Sequence, residues 1–456
     1  MIRWWVHKVR RRFAWIRIRP SNESYLTLTS SFRQHATEEY PPFRLAPNGV
    51  TVVCLGAPPN ATGVVNGVTY TGVVNGVTYT KRGREALLAL VQSESWGELE
   101  TSCTTDNVDF SELFKDAAGF NADISSWDVA NVRTMEGMFR GATSFDQDIS
   151  SWNVRAVTTM KYMFRDTPFN QPIGVWNTSS VEDMSWMIYN AANFNMPIGA
   201  WDTSRVKDFS GMFYGATGFN QPIGGWNTGS ATTLYAMFGG ATAFNQPIGD
   251  WDVSKVTNMA DMFWNAAVFD QDISAWDTGS VTTMVDMFRD AFAFNKPLDA
   301  WNMSGVTKAY SMFMAAPLFN QPLGSWDMSK NTRFDNMFKG ATNFNQDIGD
   351  WNTAAATDMS YMFYEAREFN QDVSDWNTAA VTTMASMFAG ATAFNNGGQA
   401  LAWTNTAAVT DMSYMFYNAS AFNQAIPTVG NQWNTGAVTS MTRMFELASA
   451  FDQDLS

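Results

Sequence analysis

A tryptophan returns at a nearly fixed interval along most of this chain: Trp127, Trp152, Trp176, Trp201, Trp226, Trp251, Trp276, Trp301, Trp326, Trp351, Trp376, Trp403 and Trp433. The interval is 25 residues almost throughout, with one of 24 early and two longer ones, 27 and 30, at the end. A constant period of this length marks an array in which each unit contacts only its neighbours. The 456 residues therefore do not translate into a number of globular domains.

The same register carries a whole motif. Val256 to Trp276 reads V-T-N-M-A-D-M-F-W-N-A-A-V-F-D-Q-D-I-S-A-W, and the next unit opens with V-T-T-M-V-D-M-F at Val281 and closes on Trp301. In the first half, Val256, Met259, Met262, Phe263, Ala266 and Phe269 fall at spacings of three and four, which predicts a short α-helix or a 3₁₀ turn. The Thr after the Val, and a Ser or Thr before it, are placed to cap its first amides. In the second half, Phe269, Ile273 and Trp276 are separated by D-Q-D and S-A, which predicts a short extended segment. The Asp or Asn after each Trp suits an Asx-turn. One such coil cannot bury its own apolar stripe, whereas a stack of coils can, with strands pairing in parallel roughly 4.8 Å apart.

The expected fold is thus an α/β repeat solenoid of about 13 stacked coils over residues 104–456, each a short helix or 3₁₀ turn plus a short parallel strand. Its core is assigned to the thirteen tryptophans and to Phe139, Phe164, Phe213, Phe263, Phe288, Phe363 and Phe388. The 26 methionines beyond residue 100 keep the same spacing with Phe, so packing explains them better than a soft binding surface. Asn or Asp follows the repeat Phe in column, from Asn121 and Asp146 to Asn370 and Asn395. That column is expected to be structural, either as an amide ladder or by bonding the backbone of its own turn.

The consensus V-T-x-M-x-x-M-F-x-x-A-x-x-F-N-Q-D-I-x-x-W-D/N-T-S resembles the DUF285 repeat, also called the BspA-type or mycoplasma-lipoprotein-type surface-protein repeat. The resemblance covers about residues 104–456. It implies a leucine-rich-repeat-like solenoid and an adhesive or protein-binding role at a cell surface or outside the cell. It brings no catalytic residues. Departures from the motif are mostly apolar: Met187-Ile188 replaces M-F, and Phe209, Leu234, Ala309 and Phe334 replace the first Met. Two units are longer, with N-G-G-Q-A-L-A before Trp403 and A-I-P-T-V-G-N-Q before Trp433.

The region before the array differs in character. Residues 1–60 are expected to be disordered or a targeting segment; the first 20 contain seven Lys or Arg and no acid, and Pro41-Pro42 and Pro58-Pro59 interrupt the rest. Residues 61–103 hold an exact duplication of TGVVNGVTY, whose Asn-Gly signals a hairpin, and then an amphipathic helix through Ala86, Leu87, Leu88, Leu90 and Val91, placed to cap the first coil. Cys54 and Cys103 fit either one disulfide or two buried thiols, and no metal-site spacing. The chain closes on F-D-Q-D-L-S, in mid-coil, and fraying is expected there.

Charge and chemistry narrow the function. Residues 1–100 carry 12 Lys/Arg and 7 Asp/Glu; the totals of 29 and 43 leave 17 and 36 beyond them, a net charge of −19 for the array. So acidic a surface disfavours nucleic acid as a partner. No apolar run is long enough for a transmembrane span. The only histidines, His7 and His35, lie outside the array. Asp146/Asp148, Asp270/Asp272 and Asp452/Asp454 form carboxylate pairs, but most coils read N-Q-P or N-Q-D instead. The expectation is a non-enzyme without cofactor or metal, a scaffold binding an unknown protein or glycan. The alternatives are a structural or self-associating array and, remotely, a carboxylate-based hydrolase. An exposed aromatic or acidic row would favour binding; a uniform Thr/Ser/Asn face would favour the structural array. Specificity is expected in the variable positions between the motif residues and in the two longer units. The sequons at Asn22, Asn60, Asn177, Asn302 and Asn418 matter only in a secreted chain.

Overall fold

The computed structural model describes residues 43–55, 62–65, 77–403, 405–427 and 433–455, with residues 62–65 described in their backbone alone. All belong to one compact unit, residues 41–456. The basic segment, both histidines, both Pro-Pro pairs, and Asn22 and Asn60 lie outside the described residues.

The array is a stack of coils held by hydrogen bonds between successive units. In the unit of Val256, the amides of Met259, Asp261, Phe263 and Asn265 donate to the carbonyls of Thr283, Val285, Met287 and Arg289 in the next coil, at 2.8–3.1 Å. The alternate amides, of Met262, Trp264 and Ala266, donate three residues back within their own coil, to Met259, Asp261 and Phe263. The segment is therefore a run of overlapping turns and not the helix or 3₁₀ turn the spacing predicts. Both geometries put residues three and four apart on one side, so the apolar pattern is the same. The turns prevail because they leave every second amide free to bond the neighbouring coil, which an α-helix would not.

The turns require a left-handed residue at two places per coil. Asp261 and Asn265 have φ of 57° and 53°. The column of Asn265 elsewhere holds Asp116, Gly141, Asp166, Asn190, Gly215, Gly240, Asp290, Gly340, Gly390 and Asn418, and in three coils Ala315, Glu365 and Leu447, all with positive φ. Gly, Asn and Asp are the residues that enter this region at least cost.

The parallel pairing is also shorter and placed elsewhere than expected. It consists of single-residue bridges just ahead of the first Met, such as Thr233↔Asn258 and Asn258↔Thr283, recurring from Asp109 to Ser440. The second half of the coil, where the strand is expected, is held by side chains instead. Thr257, the expected helix cap, sends its hydroxyl to the carbonyl of Thr232 in the preceding coil at 3.2 Å.

Inside the stack the core is continuous from Leu87 to Met444. Phe263 lies 4.0 Å from Phe269 and 5.6 Å from Phe288, ring centre to ring centre. Trp276 stacks on Trp301 at 6.2 Å with their planes within 5°. The replacements Phe209, Leu234, Ala309, Phe334, Met187 and Ile188 are all buried.

The start of the stack is covered. Strands β1 (Arg44–Leu45) and β2 (Val52–Val53) form a short antiparallel pair. Strand β3 (Thr62–Val65) pairs antiparallel with β4 (Val77–Lys81), so the hairpin joins the first copy of the duplicated segment to the second and does not close within either. Helix α1 (Arg84–Gln92) follows, then α2 (Trp96–Glu100) and β5 (Ser102–Cys103), which is parallel to β4. Leu87 and Leu99 enter the main core. Cys54 and Cys103 are disulfide-bonded, in a small second core with Phe43 and Val52. In the last described coil Met444 and Ala448 are buried, while Met441, Leu447 and Leu455 are exposed.

Candidate ligand-binding face

The motif residues belong to the scaffold. All thirteen repeat tryptophans and Phe139, Phe164, Phe213, Phe263, Phe288, Phe363 and Phe388 are buried. Each of those tryptophans donates its indole N–H to a carbonyl of the coil before: Trp276 to Ile248 at 3.1 Å, Trp301 to Ile273 at 3.1 Å, Trp433 to Leu401 at 2.9 Å. Trp127, in the first coil, bonds Leu99 of α2 at 2.9 Å, so the cap offers the same acceptor as a coil.

The Asn/Asp column does something other than either expectation. Each Oδ1 accepts the backbone amide of its counterpart in the next coil: Asn220 from Asn245, Asn245 from Asp270 and Asp270 from Asn295, at 2.9–3.0 Å. The Gln one place on often adds a second donor, as Gln271 does to Asn245 at 2.8 Å. Only Oδ1 is needed, so Asp and Asn interchange. The Asx-turns after Trp form as expected, for instance Ser254 N–H to Asp252 at 3.0 Å.

These engagements account for two of the three acid pairs. Asp146 and Asp270 accept the amides of Asn170 and Asn295, and Asp148 and Asp272 accept those of Ser150 and Ser274. The Ser274 hydroxyl, then its amide, holds the Asp272 carboxyl below its ordinary value. Asp270 also meets Lys296 Nζ at 2.8 Å. Among the described residues no group of three or more His, Cys, Asp or Glu is placed to hold a metal ion.

Among the variable positions, three columns on the turn face, those of Ala260, Asp261 and Trp264, carry most of the aromatic ones. Aromatic side chains recur there: Tyr162, Trp186, Tyr189, Tyr214, Tyr235, Trp264, Tyr310, Tyr361, Tyr364, Tyr414 and Tyr417. They are half-buried, with Tyr361 and Tyr414 at 38% and 36% exposure. Neighbours touch: Tyr189 stacks on Tyr214 at 5.1 Å, and Trp186 reaches Tyr214 and Tyr235 at 6.1 and 6.0 Å. Asp261 and Asp286 are successive in their column. Burial, then Asp286, pushes the Asp261 carboxyl up to about 6, against the pull of Arg289. Burial raises Asp286 as well, though Arg289 bonds it. Burial and the nearby Asp261 raise the hydroxyls of Tyr214 and Tyr235.

A column of mostly threonine, with Arg133, Glu182 and Lys207 in three coils, lies ahead of the turn face, and the hydroxyls of Thr232, Thr257, Thr282 and Thr307 are bonded to carbonyls of the preceding coils. Of the two longer units, the one before Trp403 is anchored at Asn396 and Leu401, while Gly397, Gly398, Gln399 and Ala400 are exposed. Buried Asn396 accepts the Val373 amide at 3.0 Å and donates to Gln399 at 3.0 Å. Much of the other, residues 428–432, lies outside the described residues.

Residues 92–195, 165–267, 232–337, 323–401 and 398–456 each match the family described as "Mycoplasma protein of unknown function, DUF285". The chain belongs to the DUF285 family. No curated protein matches it. Among solved structures, that of a "TLR13-ssRNA13 complex" aligns with 69% of the chain at 7% identity and a TM-score of 0.15. The chain spans 57% of the length of that protein. No described helix is long and apolar enough to cross a membrane.

Proposed function

We infer that this DUF285 chain is a non-enzymatic scaffold that binds a protein or glycan through its turn face, at a cell surface or outside the cell. The observation that carries this is the aromatic row, which runs across coils from Tyr162 to Tyr417 while every strictly repeated residue is committed to the stack. Large amphipathic rings held in place by a scaffold supply contact area at little entropic cost. The Cys54–Cys103 disulfide supports an oxidising compartment. In this reading the coils form a leucine-rich-repeat-like solenoid, with the parallel bridges as its minimal sheet. The acids engaged in turns speak against hydrolysis, and the threonine hydroxyls engaged within the stack speak against a self-associating hydroxyl face.

The test is a combined glycan and peptide array probed with the full chain and with Tyr361→Asn/Tyr414→Asn. Asn is chosen because both positions have positive φ, 58° and 56°. We expect ligands that the double variant loses while melting at the same temperature. An array with no ligand, or ligands indifferent to the two tyrosines, would sink the reading.

A further inference from the structure

The turn face treats its rings alike wherever a cation is within reach. Arg165 lies over Tyr189 at 4.4 Å, Arg333 over Tyr310 at 4.2 Å, and Lys339 approaches both Tyr361 and Tyr364, at 5.0 and 5.4 Å. Among the described residues Trp186, Tyr414 and Tyr417 have no such cation, and neither do Tyr214, Tyr235 and Trp264.

Tyr214 and Trp264 stand in one column with Gly239 between them, and their ring centres approach to 5.7 Å across it. A Cβ at Gly239 would run into the Tyr214 ring, and one at Gly211 into the Trp186 ring, so the rings lie down on glycine backbone. At the edge of this floor stands Asp261. Its carboxylate has no hydrogen bond or ion pair among the described residues, whereas its neighbours do. Asp286 accepts from Arg289 at 3.3 Å; Asp290 meets Arg289 at 3.4 Å and takes the Trp264 indole N–H at 3.2 Å. One guanidinium thus serves two carboxylates and leaves the third without a counter-ion.

Ring faces attract a cation electrostatically, and a carboxylate beside them takes its N–H groups. We propose that Tyr214, Tyr235, Trp264 and Asp261 form a seat for a lysine or arginine side chain presented by a basic protein partner. This deepens the scaffold reading and rests on it. The net charge of −19 over residues 101–456 draws such a partner towards the stack and turns acidic ones away. A neutral sugar would use the rings but gives the Asp261 charge no counterpart. The groups facing Asp261 are Asp286, Arg289 and the hydroxyls of Tyr214 and Tyr235, and in the free protein burial, then Asp286, holds its carboxyl up to about 6 against the pull of Arg289. A bound cation favours the ionised form, so binding strengthens as pH rises through that value.

The experiment titrates the full chain with a fluorescent peptide of alternating Gly and Arg, with its Gly-Glu counterpart and with a neutral oligosaccharide. The expected result is binding of the Arg peptide alone, weakened roughly fivefold or more by Asp261→Asn, by Tyr214→Ala and by lowering the pH from about 7.5 to about 5. Asp327→Asn, an exposed acid in an Asx-turn, should bind as the wild type does. Asn tolerates the φ of 57° at residue 261, so that variant folds. No binding of the Arg peptide, or binding indifferent to Asp261 and Tyr214, overturns the cation seat. If array ligands still depend on Tyr361 and Tyr414 in that event, the scaffold reading survives; if the array is empty too, both fall.

Discussion

Asn331 interrupts the stack at a single point. It occupies the column of Val256, Val281 and Val306 and is fully buried. Its Oδ1 takes the Ala309 amide at 3.1 Å and its Nδ2 bonds the Arg333 carbonyl at 2.8 Å, the pair that would otherwise bond each other. The adjoining bond from Thr332 to Thr307 stretches to 3.4 Å, against 2.9 Å from Thr307 to Thr282. Replacing both side-chain bonds by one backbone bond and an apolar group leaves nothing unpaired. Asn331→Val should therefore raise the unfolding free energy by about 1 kcal/mol, read by denaturant titration; a loss would show that the inserted amide is the better arrangement. Asp261 is a second residue that works against stability. Its carboxyl titrates at the ordinary 3.8 when unfolded and at about 6 when folded. Between those values the folded chain holds the proton and the unfolded chain does not, so this contribution is full in acid and declines as pH rises through the interval. Asp261→Asn should melt higher than wild type at neutral pH, with the gain vanishing below about pH 4. A constant gain at every pH would place its cause elsewhere than in the charge. A residue that costs stability and stands half-buried on a variable face is the pattern of a binding site.

At the scale of the element, the coil shows what its sequence could and could not reveal. The inward side was readable, because Val256, Met259, Met262, Phe263, Ala266 and Phe269 mark it by spacing alone. The backbone conformation was not. Spacings of three and four fit a helix and a run of turns equally, and the acceptors of Met259 and Phe263 sit 24 residues further on, where no local signal points. The one available clue was the Gly/Asn/Asp column through Gly215, Gly240, Asn265 and Asp290, which marks left-handed positions that a helix interior does not need. The proposed binding face was readable only as variable positions; Trp186, Tyr214, Tyr235 and Trp264 became a group once the coils were stacked. The cap was more legible, since the helix through Leu87 and the Cys54/Cys103 pair stand out, but the hairpin across two copies of one segment has two equal candidate registers within the sequence. The disulfide closes a loop of 49 residues around α1's approach to the array. Cys54→Ala/Cys103→Ala should cost about 2–4 kcal/mol and raise amide exchange first in β1, β2 and β4, ahead of the coils. Exchange that rises evenly along the array would mean that the disulfide secures the stack as a whole.

Across the molecule, two sets of columns divide the labour. The Trp, Phe, Met and Asn/Asp columns hold each coil to the next, and their cost of removal follows from burial: about 3–5 kcal/mol for a Trp or Phe reduced to Ala, and ~1–3 kcal/mol for an orphaned amide when Oδ1 is lost. The turn face carries the aromatic row and Asp261, with little duty in the stack. The net charge of −19 beyond residue 100 disfavours phosphate backbones at that face and suits the basic partner proposed for it. This division is the core of the account, and a saturation scan of residues 104–455 read by proteolytic stability measures it directly. The account predicts sharp losses at the columns of Trp276, Phe263 and Asn245 in every coil, with Tyr214, Tyr235, Asp261, Tyr361 and Tyr414 tolerant of polar replacements. If those turn-face residues prove as intolerant as the tryptophans, the aromatic row belongs to the folding framework and the binding face assigned to it does not exist.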